Sequence, residues 1–233
     1  MNNPLWDAAT LILPLVLAIV CHEVAHGWVA RMLGDTTAAE HGRLTLNPIA
    51  HIDPFGTVIL PGMLALAHLP VFGWARPVPI DARRLPNPRR DMMVVGAAGP
   101  LSNLVLATFT ALAIGAMAGV QPGRPADFSF FAWCLDNLRN FLEINVFLAL
   151  FNLLPIPPFD GSHIVEGVLP LPLAVRYGRL RRWALPAVLI LIVILPQLFP
   201  QIDLVSAWVG PPFEWLMRHY GALAGWSAGL FRG

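Results

Sequence analysis

Charged residues are scarce in this sequence, and lysine is absent. Only 12% of the 233 residues are charged and 56% are hydrophobic, compared with roughly 25% and 45–50% in soluble globular domains. The fifteen basic residues are all arginine, and the net charge is only +1. Because the arginines cluster beside apolar segments and form no single basic face, we expect no nucleic-acid partner. The composition indicates a protein that lies in membrane lipid.

Cysteine is scarce as well. Cys21 and Cys134 lie in or beside apolar segments, without the C-x-x-C spacing typical of metal or redox sites. Thiols in such surroundings behave as small apolar side chains. We therefore expect neither a disulfide nor a cysteine ligand.

Long apolar runs are the main feature that the sequence does contain. An α-helix needs about 20 apolar residues to cross a hydrocarbon core about 30 Å thick. Runs of comparable length cover residues 8–30, 91–119, 133–158, 184–199 and, more weakly, 204–217. The first run lacks the basic leader and cleavage site of a signal peptide, so we expect it to be retained. The sequence predicts an α-helical polytopic membrane protein with five or six membrane segments.

The arginines predict the orientation of the chain, because basic residues beside membrane segments favour the cytoplasmic side. One cluster precedes the second apolar run and another precedes the fourth: Arg76, Arg83, Arg84, Arg89 and Arg90, and then Arg176, Arg179, Arg181 and Arg182. Two runs separate the clusters, so both fall on the cytoplasmic side. The interrupted apolar stretch at 56–70, which contains Pro61, Gly62 and His68, must then be re-entrant or buried within the protein rather than spanning.

The first apolar run contains His22-Glu23-Val24-Ala25-His26. Residues four apart lie on one helix face, about one turn apart, so both imidazoles can reach one zinc ion. Glu23 projects from an adjacent position, where its carboxylate can act as general base on water that zinc activates. Such a short pattern also arises by chance, but ionisable groups deep in an apolar segment are costly and indicate function. We expect one Zn2+ per chain.

A catalytic zinc site has a third protein ligand and one open position. Asp160, which follows the segment NLLPIPPF at 152–159, is the candidate for this ligand. The prolines prevent a regular helix, and Gly161 lets the backbone approach closely, so the carboxylate can turn back toward the other segments. Taken alone, Asp160 is more typical of a turn at a helix end, and His163 is a rival ligand.

These motifs resemble the site-2 protease family of intramembrane zinc metalloproteases, which combines a His-Glu-x-x-His helix with a distant Asp-Gly motif that follows asparagine and prolines. The resemblance extends over residues 10–170 and includes LNP at 46–48, HIDPFG at 51–56, GWARPVP at 73–79 and GPLSN at 99–103. It implies that His22, His26 and Asp160 bind zinc and that Glu23 is catalytic. The chain is similar to the minimal form of the family, without a PDZ domain.

Other polar residues are candidates for supporting roles. Asn103 could stabilise the developing oxyanion or brace the zinc loop, or it could form an interhelical hydrogen bond. Asn152 could hold the loop that carries the third ligand. His51 and Asp53 could orient ligands or substrate, or they could stabilise their own turn. For Asn145, deep in the third apolar run, we expect a packing or hydrogen-bonding role.

Alternation of polar and apolar residues predicts a short strand at 43–47. An extended substrate could pair with the edge of this strand, and a structural hairpin is the alternative. The residues of this possible substrate-presenting strand are Arg43, Leu44, Thr45, Leu46 and Asn47.

We therefore expect a single membrane-embedded metalloprotease domain over 1–233, with a small β element and a re-entrant segment near the cytoplasmic face. Residues 8–170 form its catalytic core and 171–233 its C-terminal membrane segments. We expect its substrates to be transmembrane proteins, its location to be the bacterial inner membrane, and its site to open to the cytoplasm. A membrane zinc or proton transporter and an inactive membrane scaffold are the rival interpretations.

Overall fold

A computed structural model of the chain describes residues 4–67, 73–121, 129–199, 201 and 203–232. Its α-helices are α1 (Pro4–Met32), α2 (Thr37–Glu40), α3 (Leu60–Leu66), α4 (Pro88–Val120), α5 (Phe130–Asn152), α6 (Gly161–Val168), α7 (Leu171–Gly178), α8 (Ala184–Leu189), α9 (Leu195–Leu198) and α10 (Leu204–Phe231). Tighter or wider helical turns lie at Pro48–His51, Pro54–Ile59, Ala82–Arg84, Arg179–Trp183 and Ile190–Ile194. Within the described ranges, no residue lies in a β-strand.

The four long helices form a bundle in which α4 contacts α1, α5 and α10. Its core contains Ala107 and Ala111 of α4, Leu142 and Val146 of α5, and Tyr220 of α10. Small side chains on α4 let the neighbouring helices approach closely, which is a common way of packing helices in lipid.

Two helices in the described part of the chain are long and apolar enough to cross a membrane, over Leu5–Met32 and Pro88–Val120. The structure does not support the predicted five or six segments. Helix α5 has the necessary length but carries Asp136, Arg139 and Glu143. The predicted run at 184–199 is helical without a break from Ala184 to Leu198, with a wider helical section at Ile190–Ile194, but this helix extends only about 22 Å, less than a hydrocarbon core about 30 Å thick. The loop between the second and third apolar runs, near 121–132, is exterior in the orientation that the arginines predict, and its residues 122–128 lie outside the described residues.

The predicted strand at 43–47 is wrong, because these residues form neither strand nor helix. Their backbone groups find local partners instead of a second strand. Arg43 N–H donates to the Ala38 carbonyl, the Thr45 carbonyl accepts from His51 Nε2 at 2.9 Å, and Asn47 N–H donates to Thr45 Oγ1 at 3.1 Å. The alternating pattern failed here because it cannot supply the partner that a β-ladder requires, and burial of these side chains does not alternate: Arg43 is buried and Leu46 is exposed.

The stretch predicted to be re-entrant begins with helical turns at Pro54–Ile59 and α3. Thirteen helical residues extend about 20 Å, which is less than a hydrocarbon core about 30 Å thick. By Trp74 the chain has returned to the beginning of this stretch, because the Trp74 N–H donates to the Gly56 carbonyl at 3.1 Å. The rest of the predicted stretch, including His68, lies outside the described residues.

The short helices after α5 are attached to the loop that carries Asp160. Leu154 and Phe159 of this loop form a buried cluster with Val188 of α8. The Tyr177 hydroxyl of α7 donates to the Pro155 carbonyl at 2.7 Å. These contacts fix the loop between the bundle and the C-terminal region.

Candidate metal centre

The two histidines of the His-Glu-x-x-His motif lie on the buried face of α1. His22 and His26 are each 7% exposed, and their Nε2 atoms are 3.1 Å apart. The first of them lies ten residues before the end of α1 at Met32, or about 15 Å along the axis. Both imidazoles therefore face the interior of the bundle at a considerable depth from the helix end.

Asp160 reaches the same point from the loop after α5. Its Oδ2 atom is 3.1 Å from His22 Nε2 and 3.2 Å from His26 Nε2. Gly161 allows the sharp return of the loop, because a Cβ there would lie 2.3 Å from the Leu153 carbonyl oxygen. The structure thus brings together the three residues that the sequence predicted as ligands.

The remaining ring nitrogens determine which imidazole atoms carry hydrogen. His26 Nδ1 lies 2.7 Å from the Val95 carbonyl oxygen, which can only accept, so Nδ1 is the donor and the neutral ring keeps a lone pair on Nε2. His22 Nδ1 lies 2.7 Å from Asn103 Oδ1 and donates in the same way. Both Nε2 lone pairs therefore point toward Asp160.

These atoms form a donor set that fits zinc. Two imidazole nitrogens and one carboxylate oxygen, 3.1–3.2 Å apart, are close to the spacing of tetrahedral ligands that each lie about 2.0–2.2 Å from zinc. The buried Oδ2 atom of Asp160 has no hydrogen-bond donor. Three lone pairs facing one another repel unless a cation lies among them, so the residues fit a metal with one side left open.

Helix α4 passes directly beside this cluster at two glycines. A Cβ at Gly99 would lie 2.4 Å from His26 Nε2 and 2.6 Å from His22 Cε1. A Cβ at Gly96 would lie 2.9 Å from His163 Cβ and 3.2 Å from the Asp160 carbonyl oxygen. Only glycine at these positions leaves room for the imidazoles and for the loop that carries the carboxylate.

Glu23 accepts a hydrogen bond from the Val78 backbone N–H to its Oε2 atom at 2.8 Å. The segment that provides this donor, residues 73–81, is held at both ends. Arg76 N–H donates to the His51 carbonyl at 2.8 Å, and Asp81 N–H donates to buried Asp35 at 2.7 Å. One carboxylate oxygen of Glu23 is thus fixed and the other is left for a reactant.

Arg43 holds the same segment from its other side. It is 8% exposed, and its Nη2 donates to the Arg76 carbonyl at 2.8 Å. Hydrogen bonds to Asp35, Arg43 and His51 therefore hold the segment beside Glu23 in position.

The supporting candidates have different surroundings. His51 Nε2 donates to the Thr45 carbonyl at 2.9 Å, and Asp53 Oδ1 accepts from Gly56 N–H at 2.6 Å as a helix cap. Asn152 donates to the Leu148 carbonyl at 3.0 Å, one turn back on its own helix. These bonds stabilise local turns. Asn103 is different, because it contacts His22 directly.

His163, the rival ligand, is not part of the metal-binding group found in the described residues. Its Nδ1 accepts from Arg181 at 3.0 Å. Burial lowers the pKa of His163, and the nearby Arg181 charge lowers it further. The ring is therefore a neutral partner of an arginine.

Comparisons with known proteins agree with this centre. Residues 131–195, which contain Asp160, match the model of Peptidase family M50. The chain is 41% identical over 168 residues to YwhC of Bacillus subtilis (strain 168), which is named as a zinc metalloprotease, and the match covers 72% of each chain. The chain belongs to Peptidase family M50. It is therefore a zinc metalloprotease of this membrane-protease family, as the resemblance to site-2 proteases predicted.

Two mycobacterial proteins are also similar. Rip2 of Mycolicibacterium smegmatis is 28% identical over 202 residues, which are 81% of this chain and 73% of that protein. Rip3 of Mycobacterium tuberculosis (strain ATCC 35801 / TMC 107 / Erdman) is 35% identical over 156 residues, which are 66% of this chain but only 30% of that protein. Both are named as zinc metalloproteases. No solved structure gives a significant match to the chain.

Sequence reasoning missed the main-chain groups that complete this candidate metal centre. The identity of residues 78 and 95 does not reveal the roles of the Val78 N–H and the Val95 carbonyl, because every residue except proline carries both backbone groups. Gly96 had a weak signal, since it lies one helical turn before the GPLSN motif. For Asn145 a packing or hydrogen-bonding role was expected, and its Oδ1 does accept from Asn103 Nδ2 at 2.9 Å.

Proposed function

We propose that this chain hydrolyses peptide bonds of transmembrane proteins at a zinc site inside the membrane. The observation that carries the proposal is the convergence of His22, His26 and Asp160, with the two histidines about 15 Å and about 9 Å from the end of a candidate spanning helix. Such depth favours a substrate that is itself in the membrane. The donor set, two imidazoles and one carboxylate, is that of a hydrolytic zinc enzyme.

Each residue has a defined task in this proposal. When bound, zinc supplies a Lewis acid that makes water nucleophilic near neutral pH. His22, His26 and Asp160 hold it, and the hydrogen bonds to Asn103 and Val95 keep the two imidazoles in the correct tautomer. Glu23 is the general base: Val78 N–H fixes Oε2, so Oε1 is free to accept the proton of the attacking water.

The substrate must become extended before it can react. A spanning helix satisfies its carbonyl groups internally, and attack on one of them requires local unwinding. Residues 43–47 are proposed to receive the unwound segment, as an irregular edge rather than as a strand. Their position supports this role, because a Cβ at Gly27, one turn after Glu23, would lie 2.5 Å from Leu44 Cδ2.

The site is proposed to open to the cytoplasm of a bacterial cell, with the chain in the inner membrane. Both arginine clusters support this orientation, since they meet at the end of the bundle that holds the zinc ligands. Arg89 Nε donates to the Glu166 carbonyl at 2.9 Å, and Arg181 forms an ion pair with the carboxylate of the same residue. Water can then reach the centre from the cytoplasm.

The test is cleavage of a tagged transmembrane peptide by the purified chain in lipid vesicles. Activity should disappear with a zinc chelator and return when zinc is added. Glu23→Gln should lower the rate about 10²–10⁴-fold while one zinc per chain remains bound. Glu143→Gln, a matched change at an exposed glutamate of α5, should leave the rate unchanged. Normal turnover by Glu23→Gln, or chelator-resistant cleavage, would exclude the proposed mechanism.

A further inference from the structure

Two fully buried asparagines connect His22 to the main chain of α5. Asn103 of α4 and Asn145 of α5 are both 0% exposed. Asn103 Nδ2 donates to Asn145 Oδ1 at 2.9 Å, and Asn145 Nδ2 donates to the Phe141 carbonyl at 2.7 Å. With the bond from His22 to Asn103, this relay crosses three helices from a metal ligand to a backbone oxygen.

The backbone oxygen at the end of the relay determines the direction of every hydrogen bond in it. A carbonyl can only accept, so the group of Asn145 that faces Phe141 must be the NH2. The oxygen of Asn145 then faces Asn103, so the Asn103 NH2 must be the donor. The oxygen of Asn103 is therefore left for His22, whose Nδ1 must carry the hydrogen. The Nε2 lone pair of His22 is thereby directed to the metal.

We propose that Asn145 is a positioning residue that selects the zinc-binding tautomer of His22 through Asn103. His26 needs no such relay, because the Val95 carbonyl acts on it directly. An amide beside His22 is ambiguous by itself, since after a half-turn its NH2 would donate to Nδ1 and move the ring hydrogen to Nε2. Asn145 removes this ambiguity. The two buried amides are favourable only when all of their hydrogen bonds form together, because an unpaired buried amide is costly.

The test is zinc affinity, measured by competition with a chelator for purified Asn145→Leu. We expect the affinity to fall about 10–100-fold, as it does when groups that orient a ligand are removed. Asn137→Leu is the matched control: Asn137 lies on the same helix and donates to the Trp133 carbonyl at 2.8 Å in the same way. Its zinc affinity should not change. Equal affinities for the two variants would overturn the proposal.

A second variant separates tautomer selection from packing. In the Asn103→Asp/Asn145→Leu double variant, the carboxylate can only accept from His22 and needs no relay to orient it, so most of the lost zinc affinity should return. Asn103→Asp alone should bind zinc more weakly than the double variant, because its second oxygen then faces the oxygen of Asn145. Failure of the double variant to exceed Asn145→Leu would show that Asn145 acts through packing only.

The inference rests on the proposed zinc site, and the two can fail separately. Loss of zinc in Asp160→Ala tests the site itself. If that variant keeps wild-type zinc, the proposed site is wrong; if it loses zinc while Asn145→Leu and Asn137→Leu bind equally, only the relay is wrong. Asn145→Ala, which breaks both hydrogen bonds without added volume, replaces the leucine variant if the latter does not fold.

Discussion

Gly99 lies against the imidazole of His26, so closely that a Cβ at position 99 would come within 2.4 Å of Nε2. Helix α4 can approach the imidazoles of His22 and His26 only because this residue has no side chain. Because Gly99 has no Cβ, helix α4 packs closely against α1 without displacing the imidazoles of the candidate metal site. Residues that contribute no functional group are therefore part of the centre.

Gly99→Ala should lower zinc affinity by at least about tenfold, because the new methyl group displaces an imidazole from its position. Zinc content and cleavage should fall together. Gly221→Ala on α10 is the control, since a Cβ there meets nothing within 4 Å. That change should leave activity intact and increase stability by about 0.4–1 kcal/mol. A fully active Gly99→Ala enzyme would contradict the close packing at the centre.

Asp160→Ala should lose zinc and activity together, whereas His163→Ala should keep its zinc. The difference follows from geometry, because Asp160 Oδ2 lies beside both Nε2 atoms, whereas His163 Nδ1 is occupied by Arg181. Metal analysis of the two purified proteins is the measurement. The reverse dependence would mean that the third ligand has been assigned to the wrong residue.

Cysteines introduced at Arg84 and Arg179 should both react with an impermeant thiol reagent from the cytoplasmic side, because both arginines belong to clusters that the positive-inside rule assigns there. A cysteine near Gly123 should react only from outside. Replacing Cys21 and Cys134 beforehand provides an unlabelled background. Labelling of positions 84 and 179 from opposite sides would contradict the proposed orientation and would require a complete span within 56–70.

Leu46→Pro should impair cleavage of a membrane-spanning substrate at unchanged zinc content, because proline removes a backbone donor from the proposed substrate-receiving segment. Leu46→Ala, which keeps that donor, is the control and should be cleavage-competent. Cross-linking from residues 43–47 to substrate trapped by Glu23→Gln gives a direct measurement. If these positions never cross-link while others do, the segment is structural.

Local patterns predicted the chemistry of the centre but not its surroundings. The spacing of His22 and His26 already determines their common face, because a helix repeats every 3.6 residues whatever its neighbours are. Asp160 became a candidate only through its proline-rich context and the resemblance that this context carries. The strand at 43–47 was predicted wrongly, since a β-ladder depends on a partner that alternation cannot identify.

The sequence by itself determined that the chain is apolar and mostly helical and that it contains a zinc-binding helix motif with a distant aspartate. Only the tertiary structure decided which groups complete the centre. The Val78 N–H donates to Glu23, and the Val95 carbonyl accepts from His26. Asn145 accepts from Asn103, which in turn contacts His22. Their roles depend on hydrogen bonds between segments far apart in the chain, and such bonds arise only where helix packing brings a donor and an acceptor together.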